Sequence, residues 1–136
     1  GITEQLELMP NDYQCQRIEN ANFVHLKISG LWNRQNGRTI LRELQASLQT
    51  SGHSKALFDF REQELATSVA DEFELASLAA QLLGGERHQI AAVAREEDRW
   101  INDFFETVAV NRGLILRIFT NEQTAIDWLM GDADGR

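Results

Sequence analysis

At 136 residues the chain has the length of one domain, enough to bury roughly two-thirds of its unfolded surface without a metal or disulfide staple. Its 21 acidic and 13 basic side chains leave a net charge of −8, which repels phosphate backbones and anionic lipid, so neither nucleic acid nor a membrane surface is expected as a partner. Cys15, the only cysteine, can build neither an internal disulfide nor a thiolate zinc site. No apolar run approaches the ~18 residues of a bilayer span, and the acidic start, Gly1 to Asp12, lacks the basic and apolar regions of a secretory signal. The expected location is cytoplasmic.

Pro10 separates a leader, residues 1–12, from a domain expected over 13–130, with a short tail at 131–136. Residues 13–19 and 22–29 are strand-like, joined tightly at Asn20-Ala21, and predict a hairpin. In the second run Val24, Leu26 and Ile28 share one face, and Phe23, His25 and Lys27 the other. From Asn36 to Thr50 the period turns helical, with Ile40, Leu41, Leu44 and Leu48 in one stripe and Gly52 as the stop. Ala56 to Phe60 is a continuous apolar run, as in a strand covered on both faces. Ser68 with Asp71 three residues on predicts a capped helix that ends at Gly84-Gly85.

Ile90 to Ala94 predicts a further buried strand, and Trp100 to Asn111 a helix with Trp100, Ile101, Phe104, Phe105 and Val108 on one face. Leu114 to Phe119 is the last strand, and Thr120 is expected to cap a final helix with Ala125, Ile126, Trp128 and Leu129. The order is β-β-α-β-α-β-α-β-α, an α/β fold. Alternating strands and helices imply right-handed crossovers and a mostly parallel sheet of five strands, with the opening hairpin as its antiparallel edge.

Four segments resemble the STAS domain, in its SpoIIAA-like or STAS/Sec14-like group of small bacterial proteins. They are Phe23-Val24-His25-Leu26-Lys27-Ile28-Ser29-Gly30, Ala56-Leu57-Phe58-Asp59-Phe60-Arg61, the stretch from Asn111 to Thr120, and Ala125-Ile126-Asp127-Trp128-Leu129. The resemblance implies a STAS-like fold and a role like that of anti-sigma-factor antagonists. It also implies a regulatory site at the start of the helix after the central strand, where known antagonists carry an Asp-Ser-Ser-Gly-type phosphoacceptor. Here that stretch reads Ala66-Thr67-Ser68-Val69-Ala70-Asp71. The hydroxyls are present, but the preceding Asp and the following Gly are not, which argues against the usual phosphoswitch.

No phosphate-binding loop, nucleophile elbow or metal-ligating His pair occurs. His25, His53 and His88 are far apart and read as solvated or loop histidines. The carboxylates at 71, 72, 74 and 96–98 lie at or beside expected helix N-termini, where negative charge is favoured. Asp59 is more specific, because the C-terminal end of a buried parallel strand is where open α/β sheets bind ligands. An ion pair with Arg61 is the competing account. Asp59, Arg61, Thr67 and Ser68 therefore form the candidate ligand or regulatory site.

Residues 69–83 carry two apolar stripes where a helix on a sheet needs one. At ~100° per residue, Val69, Phe73, Ala76, Ala80 and Leu83 gather on one side, and Leu75, Leu78 and Leu82 nearly opposite. Exposed together, three leucines make an adhesive patch, so Leu75, Leu78 and Leu82 are the candidate interface. The competing account folds the leader's Ile2, Leu6 and Leu8 over them.

The sequence thus leads to a non-enzymatic protein-interaction or regulatory module, with a protein partner or a second copy of itself in a homodimer. The alternative is a small carrier, in which the extra leucines with Phe104 and Phe105 line a Sec14-like pocket for an apolar or lipid-like ligand. No cofactor or metal is expected.

Overall fold

The computed structural model describes residues 12–85 and 87–131. Strands β1 (Tyr13–Ile18) and β2 (Val24–Trp32) form the hairpin, followed by helix α1 (Arg34–Ser51), strand β3 (Lys55–Leu65) and helix α2 (Val69–Leu83). Strand β4 (Gln89–Val93) leads through a 3-10 turn at Glu96–Asp98 into helix α3 (Arg99–Asn111), then strand β5 (Ile115–Phe119) and helix α4 (Glu122–Met130). The sheet order is β1-β2-β3-β4-β5, with β1 antiparallel to β2 and every other pair parallel. This is the element order and the mixed sheet that the sequence predicts.

Local chemistry sets the helix ends. The Asn33 side chain accepts the Asn36 amide at 2.7 Å to open α1, and Gly52 closes it at φ +79°, the left-handed region that favours glycine. Ser68 and Asp71 form the expected reciprocal capping box on α2. The cap of α4 is Asn121, not Thr120. Asn121 stands three residues before Thr124, so its carboxamide reaches the Thr124 amide at 2.9 Å, while Thr120 still belongs to the bend after β5.

Two unequal layers cover the sheet. On one face Val24, Leu26, Ile28, Ala56, Phe58, Ile90, Ala92 and Leu116 pack beneath α1, α2 and α3. On the other, Phe23, Leu57, Ala91 and Val93 meet Ala125 and Leu129 of α4 alone. Helix α2 lies between α1 and α3 and touches both, which explains its broad apolar face: a central helix is covered on three sides. The leader segment Ile2–Met9 lies outside the described residues.

Strands β2 and β3 run farther than their apolar cores suggest. Strands β4 and β5 stop level with Asp59, whereas β3 continues beside β2 as far as Leu65 opposite Trp32. A bulge makes this possible: Lys27 pairs with Asp59, but Ser29 already pairs with Glu62. One extra residue in β3 reverses the alternation of faces. Before the bulge Leu57 points toward α4; after it Leu65 packs against the three-helix core.

Candidate functional site

The reversed alternation carries Gln63 into the space beneath α1–α3, just beyond the ends of β4 and β5. There a cavity forms between the sheet step and the helices, walled by Trp32, Phe58, Phe60, Phe105, Leu114 and Ile118 among other apolar side chains. Three polar residues enter it: Gln63 from β3, Glu72 from α2 and Asn102 from α3. Glu72 is 3% exposed. Its Oε2 accepts the Trp32 indole N–H at 2.9 Å and the Thr67 hydroxyl. Burial pushes the Glu72 carboxyl up, and those two hydrogen bonds offset only part of the effect. The Gln63 Oε1 and Asn102 Nδ2 atoms are buried with no hydrogen-bond partner.

The four residues expected to form one ligand or regulatory site separate into two groups. Asp59 and Arg61 lie on the α4 side of the sheet. Arg61 donates to both Asp59 oxygens, at 3.0 and 2.8 Å, and to Glu122 of α4 at 2.8 Å. Burial alone would push the Asp59 carboxyl up, but the Arg61 hydrogen bonds and charge, with a contribution from Lys27, hold it below the usual carboxylate range. The ion-pair account of Asp59 therefore describes its surroundings. Thr67 and Ser68 lie at the start of α2, with Thr67 tied to the cavity through Glu72 and Ser68 occupied as the helix cap.

The expected leucine patch requires correction. Leu75 has no exposed surface; it packs against Gly37 of α1 and is part of the core. Leu78 and Leu82 are half-buried against the same core, and Gln45 of α1 donates to the Leu82 carbonyl at 3.0 Å. The buried face consists of Glu72, Leu75, Ala76, Ala79, Ala80 and Leu83. The apolar groups left outside are Val69 and Phe73, at 48% and 45% exposure. They stand in the first turns of α2, beside Thr67 and Ser68. The Arg112 guanidinium lies 4.8 Å from the Phe73 ring centre.

His25 and His88 are buried rather than solvated. His88 Nδ1 lies 3.1 Å from the Leu83 carbonyl, and burial pushes the His25 imidazole down. Among the described residues no cluster of His, Cys, Asp and Glu has the arrangement of a metal site, and no helix is long and apolar enough to cross a membrane.

No family model and no curated protein matches the chain. Solved structures do. An anti-sigma factor antagonist from Mycobacterium paratuberculosis superposes with a TM-score of 0.64 at 12% identity, covering 90% of this chain and 97% of that one. The fold is SpoIIAA-like. The anti-sigma factor antagonist SpoIIAA itself, in its unphosphorylated form, gives 0.58 at 11% identity over 90% and 99% of the two chains. An uncharacterized protein of the DUF3478 family from Shewanella loihica, also with a SpoIIAA-like fold, gives 0.53 at 18% over 86% and 93%. The STAS-type architecture expected from the four sequence segments is the one observed. Of the polar residues in the cavity, Gln63 escaped the sequence reading, and Glu72 was read only as a carboxylate near a helix N-terminus. Gln63 lies past a bulge that breaks the period of two. Glu72 stands at the helical spacing of Leu75, Ala76, Ala79 and Leu83, and a carboxylate on a buried stripe was the signal for it.

Proposed function

We propose that this protein is a non-enzymatic regulatory module that binds a protein partner through the first turns of α2 and the Thr67–Ser68 turn before them. The observation that carries the reading is the exposure of Val69 and Phe73 on a helix whose other large apolar side chains are covered or half-covered. Around Phe73 a shallow groove continues past Leu78, bordered by Arg38, Glu74, Ser77 and Gln81. Apolar groups rimmed by charges are the surface pattern of a contact site. The solved proteins of the same fold named as anti-sigma factor antagonists support a partner that is itself a protein. Asp59 and Arg61 bind each other, which supports a structural rather than a chemical role for them.

Ser68 serves as a helix cap without any modification, and this, with the missing Asp and Gly, supports regulation other than the usual phosphoswitch. The test is a photo-crosslinking side chain at position 73, compared with one at exposed position 49 on the far end of α1, in cells of the source organism. A discrete adduct at 73 that disappears with Val69→Glu and is absent at 49 is the expected result. Identical adducts at both positions, or none at 73, would remove the proposed surface. Light scattering on the purified chain assigns the partner: a dimer that Val69→Glu converts to a folded monomer makes it a second copy of this chain.

A further inference from the structure

The surface around Phe73 carries a charge opposite to that of the whole chain. Arg34, Arg38 and Arg42 stand one turn apart on the outer side of α1, where they line a shallow groove with Gln35 and Thr39. Arg38 also borders the groove that runs past Phe73 and Leu78, so the two are continuous. A fourth arginine, Arg112, holds its guanidinium against the Phe73 ring. These four gather at one place on a molecule of net charge −8.

The neighbouring carboxylates do not neutralise them. Glu74 alone serves two of the arginines, Arg34 at 2.8 Å and Arg38 at 3.3 Å. Asp71 is engaged in the Ser68 cap, Glu72 is buried, and Glu43 accepts the Tyr13 hydroxyl of β1. Among the described residues no carboxylate lies within ion-pair distance of Arg42 or Arg112. The basic and apolar walls also run together. Gly37 meets Leu75 and Gln45 meets Leu82, so α1 and α2 lie side by side and point the same way. From Arg34 to Arg42 the row spans about 12 Å of helix.

Charge decides what such a surface admits. One exposed ion pair adds little affinity, but a row of like charges steers the approach of its opposite and rejects partners of its own sign. The negative charge over most of the chain repels an acidic partner, so this face is where one is drawn. Nucleic acid is anionic too, but it brings no apolar side chain to cover Val69, Phe73 and Leu78. We infer that the Val69–Phe73 surface takes an acidic, apolar segment of a partner protein, whose apolar side chains cover Phe73 and Leu78 and whose carboxylates lie along Arg34, Arg38 and Arg42. This rests on the reading of that surface as the contact site, and adds the chemistry of what it contacts.

The photo-crosslinking side chain at position 73 tests this when combined with charge variants at Arg42, which is exposed and pairs with no carboxylate among the described residues. Arg42→Glu is expected to cut the adduct yield about tenfold, and Arg42→Lys, which keeps the charge, to hold it within about twofold. Mass spectrometry of the adduct then reads the segment captured, which is expected to carry Asp or Glu on both sides of apolar residues. No adduct at 73 removes the contact surface and this inference with it. An adduct whose yield Arg42→Glu leaves unchanged, or whose captured segment is neutral or basic, overturns the inference alone and leaves the surface standing. So does an adduct to nucleic acid or lipid. The chain's own residues 1–9 include Glu4 and Glu7 beside Ile2, Leu6 and Leu8, and an adduct to them within one chain would overturn a partner protein as the occupant.

Discussion

A methyl group on Gly37 would stand 2.8 Å from Leu75 Cδ1, closer than side chains pack, and 3.3 Å from the Trp32 ring. Helix α1 can approach α2 at this point only because residue 37 has no side chain. Gly37→Ala has two opposing effects. It gains about 1 kcal/mol of helix propensity, and it forces strain that in tight cores costs about 1–3 kcal/mol. Leu75 has no exposed surface to move into, and Glu72 holds the Trp32 indole. Strain therefore wins, and urea denaturation is expected to show a loss of about 1 kcal/mol. An unchanged or higher midpoint would mean that α1 can move away at little cost.

The capping box separates structure from recognition. Ser68→Ala removes the acceptor of the Asp71 amide and is expected to lower stability by about 1 kcal/mol. Val69→Glu, one residue on, replaces an exposed side chain and adds a negative charge to a helix N-terminus, so its stability is expected to stay within about 0.5 kcal/mol of wild type. Melting curves of the two variants measured together check the contrast. Similar losses in both would show that Val69 is covered.

Acid acts through Asp59. Its folded pKa lies below the unfolded one, so its contribution is complete above the ordinary aspartate range and is lost as the pH falls through that range and the depressed folded value. Arg61→Met leaves the carboxylate buried without its partner. Such losses reach about 3–5 kcal/mol in full burial, and the partial exposure of Arg61 lowers the expected figure to about 2 kcal/mol at neutral pH. The difference from wild type should shrink toward acid, as Asp59 becomes protonated in both proteins. Urea titrations at neutral pH and near pH 3 measure it. A difference independent of pH would assign the loss to packing alone.

Cys15 is expected to be a slow thiol. Burial first, then the charge and hydrogen bond of Glu43, push it up to about 11. The smaller thiolate fraction near pH 8 slows alkylation, and the greater nucleophilicity of a more basic thiolate recovers part of the loss. A rate roughly tenfold below that of free cysteine follows. Glu43→Gln should accelerate the reaction, and an iodoacetamide time course read by mass spectrometry compares the two.

Element order, helix stops and the mixed sheet were legible because each depends on local chemistry: Ser68 with Asp71, Gly52 after Leu48, and alternation from Phe23 to Ile28. The site was less legible because it depends on two non-local facts. Strand β3 has a bulge whose sequence trace is the step of three from Phe60 to Gln63, where a strand alternates in steps of two. Helix α2 has neighbours on both sides, so Leu75, which looks spare on a helical wheel, fills the α1 contact. A wheel gives angles but not how many neighbours a helix has, and Val69 and Phe73 on that wheel resemble core residues.

The overhang of β2 and β3 past their neighbours divides the sheet's response to hydrogen exchange. Amides at 56–59 sit between two partner strands, so deuterium should reach them only when the whole sheet opens. From 60 to 65 the strand has β2 on one side and no strand on the other, so fraying of the ribbon suffices for exchange there. One strand would therefore report local fraying and global stability at separate rates.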